Sequence, residues 1–170
     1  MAKNTFFIRA TVNAGDTGAF AQTEIDLGSY TNLGSSKPEV LRIHNVHPAL
    51  TDGGGQMPNM GADTGGTSAW QLTTQSQTDL IEPTDDSFVC GGRAALRNPD
   101  TSVMPATQAH ESLLLPQDWD NGYVVAVPSL FLGGWGTAQF AEDSYYSVIL
   151  ECSTEPMSKA NAVSLAISQQ

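Results

Sequence analysis

The triplet Asp-Thr-Gly occurs twice, as Asp16-Thr17-Gly18 and Asp63-Thr64-Gly65. Two such triplets can face two carboxylates across a cleft so that they share one proton, the basis of aspartic-type hydrolysis. That chemistry needs an apolar strand to carry each aspartate into the cleft. Here Asn13-Ala14-Gly15 and Met60-Gly61-Ala62 precede them. This is turn composition, so both triplets are expected to be β-turns. His44 and His47 are three residues apart. On a regular strand such positions face opposite sides, so one metal would need a bulge between them. His110-Glu111 stands in another segment, and packed or solvated histidines are expected throughout. Asp118-Trp119-Asp120-Asn121-Gly122 begins like a calcium loop. Its fifth position is Gly122, and no glutamate stands at the twelfth, so it is expected to be a turn before a strand. The acidic loops leave weak calcium binding as the only cofactor expectation. Gly53-Gly54-Gly55 is not followed by Lys-Ser/Thr, so it builds no phosphate cradle, and no Gly-x-Ser-x-Gly elbow occurs. No catalytic residue, cofactor site or metal site is expected, and the chain is not expected to be an enzyme.

The elements that would position these residues read as short strands. Residues 5–14 (TFFIRATVNA) alternate, with the even-numbered side chains inward. Residues 19–27 form a second strand candidate. Residues 39–47 form a central one, which Pro48 is expected to close because proline donates nothing to a ladder. Residues 49–66 read as a long glycine-rich loop. Residues 67–74 alternate again, with Trp70 and Leu72 on one face, whereas 79–82 is ambiguous. Residues 87–96 read as a strand broken by a bulge at Gly91-Gly92, 98–111 as loop, and 112–115 as a short strand. Residues 122–127 and 129–132 follow, then a glycine-rich loop over 133–143. Residues 144–154 (SYYSVILECST) alternate, with Tyr146, Val148, Leu150 and Cys152 on one side. About eight or nine short strands without intervening helical patterns predict an all-β, antiparallel two-sheet sandwich over 1–157. In the tail, 158–170, Ala160, Val163, Ala166 and Ile167 form a helical stripe, although Val163, Leu165 and Ile167 also alternate. The alanines favour a short helix, which must dock on its own sheet or on a neighbouring subunit to persist.

Length and composition set the remaining bounds. The chain has 170 residues, of which 40% are hydrophobic and only 15% charged. This suits one domain with a polar but sparsely charged surface. Eighteen acidic against seven basic residues give a formal net charge of -11. The basic residues are scattered, so direct binding of nucleic acid or anionic lipid is not expected. No stretch approaches the length of a membrane span. The first residues carry no secretory pattern, so synthesis and retention in a cytoplasm are expected. Cys90 and Cys152 sit in apolar runs and read as buried free thiols, with one bridge as the alternative. Met57, Met60, Trp135 and Phe140 fall in long loops. There they either meet other chains or fold back over the ends of the sandwich.

This cadence resembles the single jelly-roll capsid proteins of small tailless icosahedral viruses, including those of archaeal hosts. The segments that carry it are 5–14, 40–48, 70–74, 122–132 and 148–152 with the Ala/Ser/Gln tail. The resemblance implies a jelly-roll sandwich and a self-assembling, homo-oligomeric capsid subunit located in the virion among other capsid subunits. A minor capsid or spike role is the variant. It also implies subunit contacts through Met57, Met60, Trp135 and Phe140, and through Val163 and Ile167 of a tail that bridges subunits. Many small capsid proteins carry a basic N-terminal arm. This chain has only Lys3 and Arg9 there, so genome neutralisation would fall to something else. The competing expectation is a calcium- or carbohydrate-binding β-sandwich, with Trp119 and Trp135 stacking on sugar.

Overall fold

The computed structural model describes residues 4–170. Its elements are β1 (Phe6–Gly15), β2 (Phe20–Asp26), β3 (Glu39–Thr51), β4 (Asn59–Met60), β5 (Thr64–Thr73), β6 (Phe88–Asn98), β7 (Met104–Pro105), β8 (Thr107–Leu113), a 3-10 turn (Pro116–Asp118), β9 (Tyr123–Val125), β10 (Ser129–Gly136), β11 (Ser144–Pro156) and α1 (Lys159–Ser168). The strands form one sheet in the order β1-β11-β3-β9, a second in the order β2-β10-β5-β6-β8, and a small β4-β7 ribbon.

The pairing explains the winding. β1 pairs with β11, β2 with β10, β3 with β9 and β5 with β6, all antiparallel. The chain is thus a four-rung antiparallel hairpin rolled on itself, with its rungs shared between two sheets. This is the jelly roll. Side chains of alternate residues meet between the sheets. Leu41, Ile43, Val46, Leu72, Leu130, Leu132 and Leu150 are fully buried there. The inward faces of β1 (Ile8, Val12, Ala14) and β11 (Tyr146, Val148, Leu150, Cys152) are those their alternation implies.

Five segments differ from the sequence reading. Residues 49–66 are not one loop but hold the end of β3, all of β4 and the start of β5. β3 does not stop at Pro48, which pairs with Val148. Its other neighbour, β9, reaches only Leu41–Ile43. Beyond that point the edge of β3 is open, and the Gln117 amide bonds both the N–H and the C=O of Val46 at 3.0 and 2.9 Å. Pro48, two residues on, turns its missing N–H to that same open side and breaks no ladder bond. Gly91 and Gly92 lie in regular register opposite Gln71 and Trp70. The irregularity falls at Val89, between the pairs Leu72–Cys90 and Thr73–Phe88. Residues 98–111 are not loop but hold β7 and most of β8. Residues 133–136 complete β10. A Cβ on Gly133 would meet the Phe20 ring at 2.6 Å, and one on Gly134 would meet Val12 Cγ1 at 2.8 Å. Glycine here marks close packing inside a strand.

α1 forms where the alanines place it. Ser158 caps it, its hydroxyl accepting from Asn161 N–H. The buried side is not the Val163–Ile167 stripe, because both of those are exposed. Ala162 is the buried contact, against Val40 and Ala126, with Leu165 and Ala166 beside it. A small side chain at 162 lets the helix backbone approach the end of the sandwich closely.

Cys90 and Cys152 are free and buried in the inter-sheet core. Burial pushes both thiols up, Cys152 to about 12. A thiol reagent at pH 8 should therefore leave the folded protein unlabelled, with labelling following unfolding by urea. A raised folded pKa means that stability is whole below the unfolded thiol range, ~8.5, and falls as pH rises toward 12. The buried Tyr146 phenol, also pushed up to about 12, acts in the same direction once pH passes its own unfolded value, ~10. Denaturation midpoints measured from pH 8 to 11 should decline steadily. A flat profile would contradict this.

Candidate functional site

The residues with chemical potential do not converge. Asp16 lies in the turn between β1 and β2. Asp63 ends the turn before β5 with a left-handed backbone (φ 46) and pairs with Arg97 at 2.6 Å, whereas Thr64 and Gly65 of its triplet belong to the strand rather than to a turn. Both partners are well exposed, so the pair contributes little. A β-bulge does occur at the histidines. Asn45 pairs with Glu151 and Ile43 with Cys152, leaving His44 as the extra residue. Ile43 and Val46 are both buried, so His44 and His47 share the outward face. His44 Nε2 is hydrogen-bonded to Ser153 Oγ at 2.8 Å. Among the described residues no three His, Cys, Asp or Glu side chains are grouped to hold a metal. Asp118 lies in the 3-10 turn, and Gly122 takes φ 62 before β9. The Asn121 carbonyl accepts from Arg42, which is also bonded to Glu155 through two nitrogens, at 2.8 and 2.6 Å. The would-be calcium segment is thereby tied to β3 and β11.

The surfaces offer more than the motifs do. At one end of the sandwich the β4-β7 ribbon joins three connections. Met60 pairs with Met104 and bridges to Phe140, and the Ala141 N–H reaches the Asn59 carbonyl. Met60 and Phe140 are buried with Ala94, Leu96 and Ala106, so they fold back and form a satellite core. The ribbon keeps three apolar side chains outside: Met57 (51% exposed), Val103 (58%) and Met104 (44%). Val103 and Met104 carried no signal, because they sit alone in a polar segment. On the outer face of the first sheet, Phe7 and Ile149 are exposed on neighbouring strands, with Arg9 lying 5.8 Å over the Phe7 ring.

On the outer face of the second sheet, a groove of about 610 Å³ has small side chains for its floor (Ala69, Ala95, Ala109), with Trp135 and Leu80 at its sides. Trp135 stands on β10, and its indole N–H is fixed on the Gly18 carbonyl at 2.7 Å. Trp119 is exposed elsewhere, beside the 3-10 turn. At the opposite end, Val163 and Ile167 point away from the body.

Glutamines close exposed backbone in place of missing strands. Gln117 does so at Val46. Gln169 accepts from the Ala126 N–H at 3.0 Å and donates to the Val124 carbonyl at 2.7 Å along the free edge of β9. Gln71 accepts from the Ile81 N–H and donates to the Asp79 carbonyl, holding residues 79–81 over the outer face of β5. Blocking free edges in this way limits pairing with other chains.

No helix among the described residues is long and apolar enough to cross a membrane. The chain matches no protein-family model and no curated protein. Among solved structures it is similar to the VP1 protein of trichodysplasia spinulosa-associated polyomavirus in complex with sialylated precision glycooligomers. There the TM-score is 0.40 and the identity 8%, over 88% of this chain and 94% of that one. It is also similar to Merkel cell polyomavirus VP1 in complex with GD1a oligosaccharide (TM-score 0.42, identity 9%, 91% and 98% covered). A third similarity is to the empty head of turnip yellow mosaic virus (TM-score 0.33, identity 8%, 92% and 84% covered). At these overlaps it is the chain's own strand pairing, rung by rung, that makes it a jelly-roll sandwich.

Proposed function

We propose that the chain is a structural subunit that self-associates, as the coat protein of a virus shell does. The observation that carries this reading is the exposure of three apolar side chains on the β4-β7 ribbon and its flanks, Met57, Val103 and Met104, at one end of the sandwich. Exposed apolar side chains that cluster on an ordered rim mark protein contacts more often than singly scattered ones do. The exposed Phe7–Ile149 face offers a second lateral contact. Copies arranged about closed symmetry axes would bury both surfaces. An icosahedral arrangement, a place in the virion and, in the variant role, a minor or spike position belong to this proposal. So does the tail, whose exposed Val163 and Ile167 remain free for a neighbour even though the helix is docked on its own chain. The net charge of -11 disfavours direct neutralisation of a genome.

Sizing with light scattering over rising protein concentration, followed by negative-stain imaging, tests the reading. Large or symmetric assemblies are expected, and the double variant Met57→Asp, Met104→Asp should remain folded yet shift to monomer. A wild-type monomer at every concentration would overturn it. A second reading, a carbohydrate- or calcium-binding module, is favoured by the outer groove beside Trp135. It requires a monomer whose melting point rises with a glycan or with calcium, and loss of the glycan response in Trp135→Ala.

A further inference from the structure

The second sheet has five strands and the first four. β8 therefore overhangs, and its inner-face residues Gln108, His110 and Ser112 find no opposing strand. β9 pairs only with Leu41–Ile43, so near Pro48 and Leu50 the first sheet stops at β3. Between the sheets at this edge lies a cleft of about 340 Å³, walled by Pro48, Leu50 and Trp70 and also lined by Gln108 and Tyr146. Two buried polar atoms on its lining, Gln108 Nε2 and Tyr146 Oη, have no hydrogen-bond partner. Tyr146 is 2% exposed. Ser68 lies close enough to offset part of the burial-driven rise of this phenol. No hydrogen bond of proper geometry joins them, and the Ser68 hydroxyl donates to the Trp135 carbonyl at 2.9 Å.

A buried polar group without a partner is costly, so two on one cleft call for an explanation. An amide N–H₂ can only donate. A phenol that stays protonated through the accessible pH range donates as well. Both groups therefore ask for an acceptor oxygen, and the surrounding walls ask for an apolar body. Arg93 and Glu111 border the cleft, but the alternation of β6 and β8 turns both side chains to the outer face, whereas His110, hydrogen-bonded to Gln108 Oε1 at 2.9 Å, lies on the inner face at the exposed mouth. No Lys or Arg side chain points into the depth of the cleft, so a carboxylate buried beside Tyr146 would lack a fixed counter-charge and is disfavoured.

We propose that the β3–β8 cleft is a binding site for a small neutral organic molecule with an apolar body and a carbonyl or hydroxyl oxygen, which accepts from Tyr146 and Gln108. None of the exposed residues assigned to self-association lines this site, which is expected whether or not the chain assembles.

Benzamide is a suitable probe, with toluene and benzoate as controls lacking the acceptor or carrying charge. Amide chemical shifts of the full chain should move saturably at Leu50 and Gln108–Ser112 on adding millimolar benzamide, and more weakly with either control. Tyr146→Phe and Gln108→Leu should each weaken binding by about fivefold or more, the equivalent of one hydrogen bond. Tyr146→Phe should leave the melting temperature unchanged or raised, because it removes an unpartnered hydroxyl and nothing else. Such a result separates lost binding from lost folding. The proposal is overturned if benzamide produces no saturable shift, if toluene binds as well, or if both variants bind like the wild type.

Discussion

Ending the chain at Pro156 should destabilise the sandwich by on the order of 4 kcal/mol, before any effect on association. α1 is bound to its own chain by three hydrogen bonds from its last turn. The Gln169 side chain bonds the Ala126 N–H and the Val124 carbonyl, and its backbone carbonyl accepts from the Thr74 hydroxyl at 2.6 Å. Each contributes about 1 kcal/mol. Truncation would also uncover Val40 and Ala126, both fully buried, and leave the edge of β9 open. For a domain of this size, that loss should lower the melting temperature by roughly 10 °C. The single change Gln169→Ala should reproduce about half of it, because the edge amides lose their surrogate strand while the helix remains. Urea denaturation of the three proteins measures this directly. If the truncated chain is as stable as the intact one and only assembles poorly, the tail is a subunit bridge, as the sequence alone suggested.

The tail shows where the pattern of residues informs and where it misleads. Its helical character was legible, since alanines at short spacing favour that state. Its buried side was not. The largest apolar residues, Val163 and Ile167, suggested a docking stripe, yet the contact is made by Ala162 and the amide of Gln169. Periodicity weighs side-chain size and misses contacts made by close backbone approach or by polar surrogates. The same limit hid β8. Its inner residues are polar because they overhang the opposite sheet, so TQAHESL lacks the alternation that made β1 and β11 plain. Residue type alone marks Pro48 and Gly133–Gly136 as breakers. Their tolerance comes from an open edge at β3 and from the ring of Phe20 and the side chain of Val12 filling the glycine positions. For the exposed apolar crest, Met57 was visible in a glycine-rich stretch. Val103 and Met104 are brought to the same ribbon only through the β4-β7 pairing, which sets Met104 opposite Met60 and involves too few residues to leave a pattern.

Gly92→Val is expected to be the most damaging single substitution in the second sheet. Gly92 faces inward opposite Trp70. A Cβ there would lie 2.5 Å from the indole nitrogen and 3.0 Å from the Glu111 carbonyl oxygen. Neither neighbour yields easily. Trp70 is buried in the inter-sheet core beside the cleft, and the Glu111 backbone is held in the β6–β8 ladder. Adding three carbons to such a site forces the ring off its rotamer or parts β6 from β5, at a cost of ~3 kcal/mol or more, and ~1–2 kcal/mol for Gly92→Ala. If the clash with the indole is the cause, a smaller ring should relieve it. Trp70→Phe alone should destabilise by ~2 kcal/mol through the space it leaves. Combined with Gly92→Ala, it should cost less than the sum of the two by about 1 kcal/mol, which equilibrium denaturation resolves. Strict additivity would mean that the obstacle is the Glu111 backbone. The glycine would then be required by the β6–β8 pairing rather than by the tryptophan, and β8 would be held more rigidly against the sheet than its exposed, polar sequence suggests.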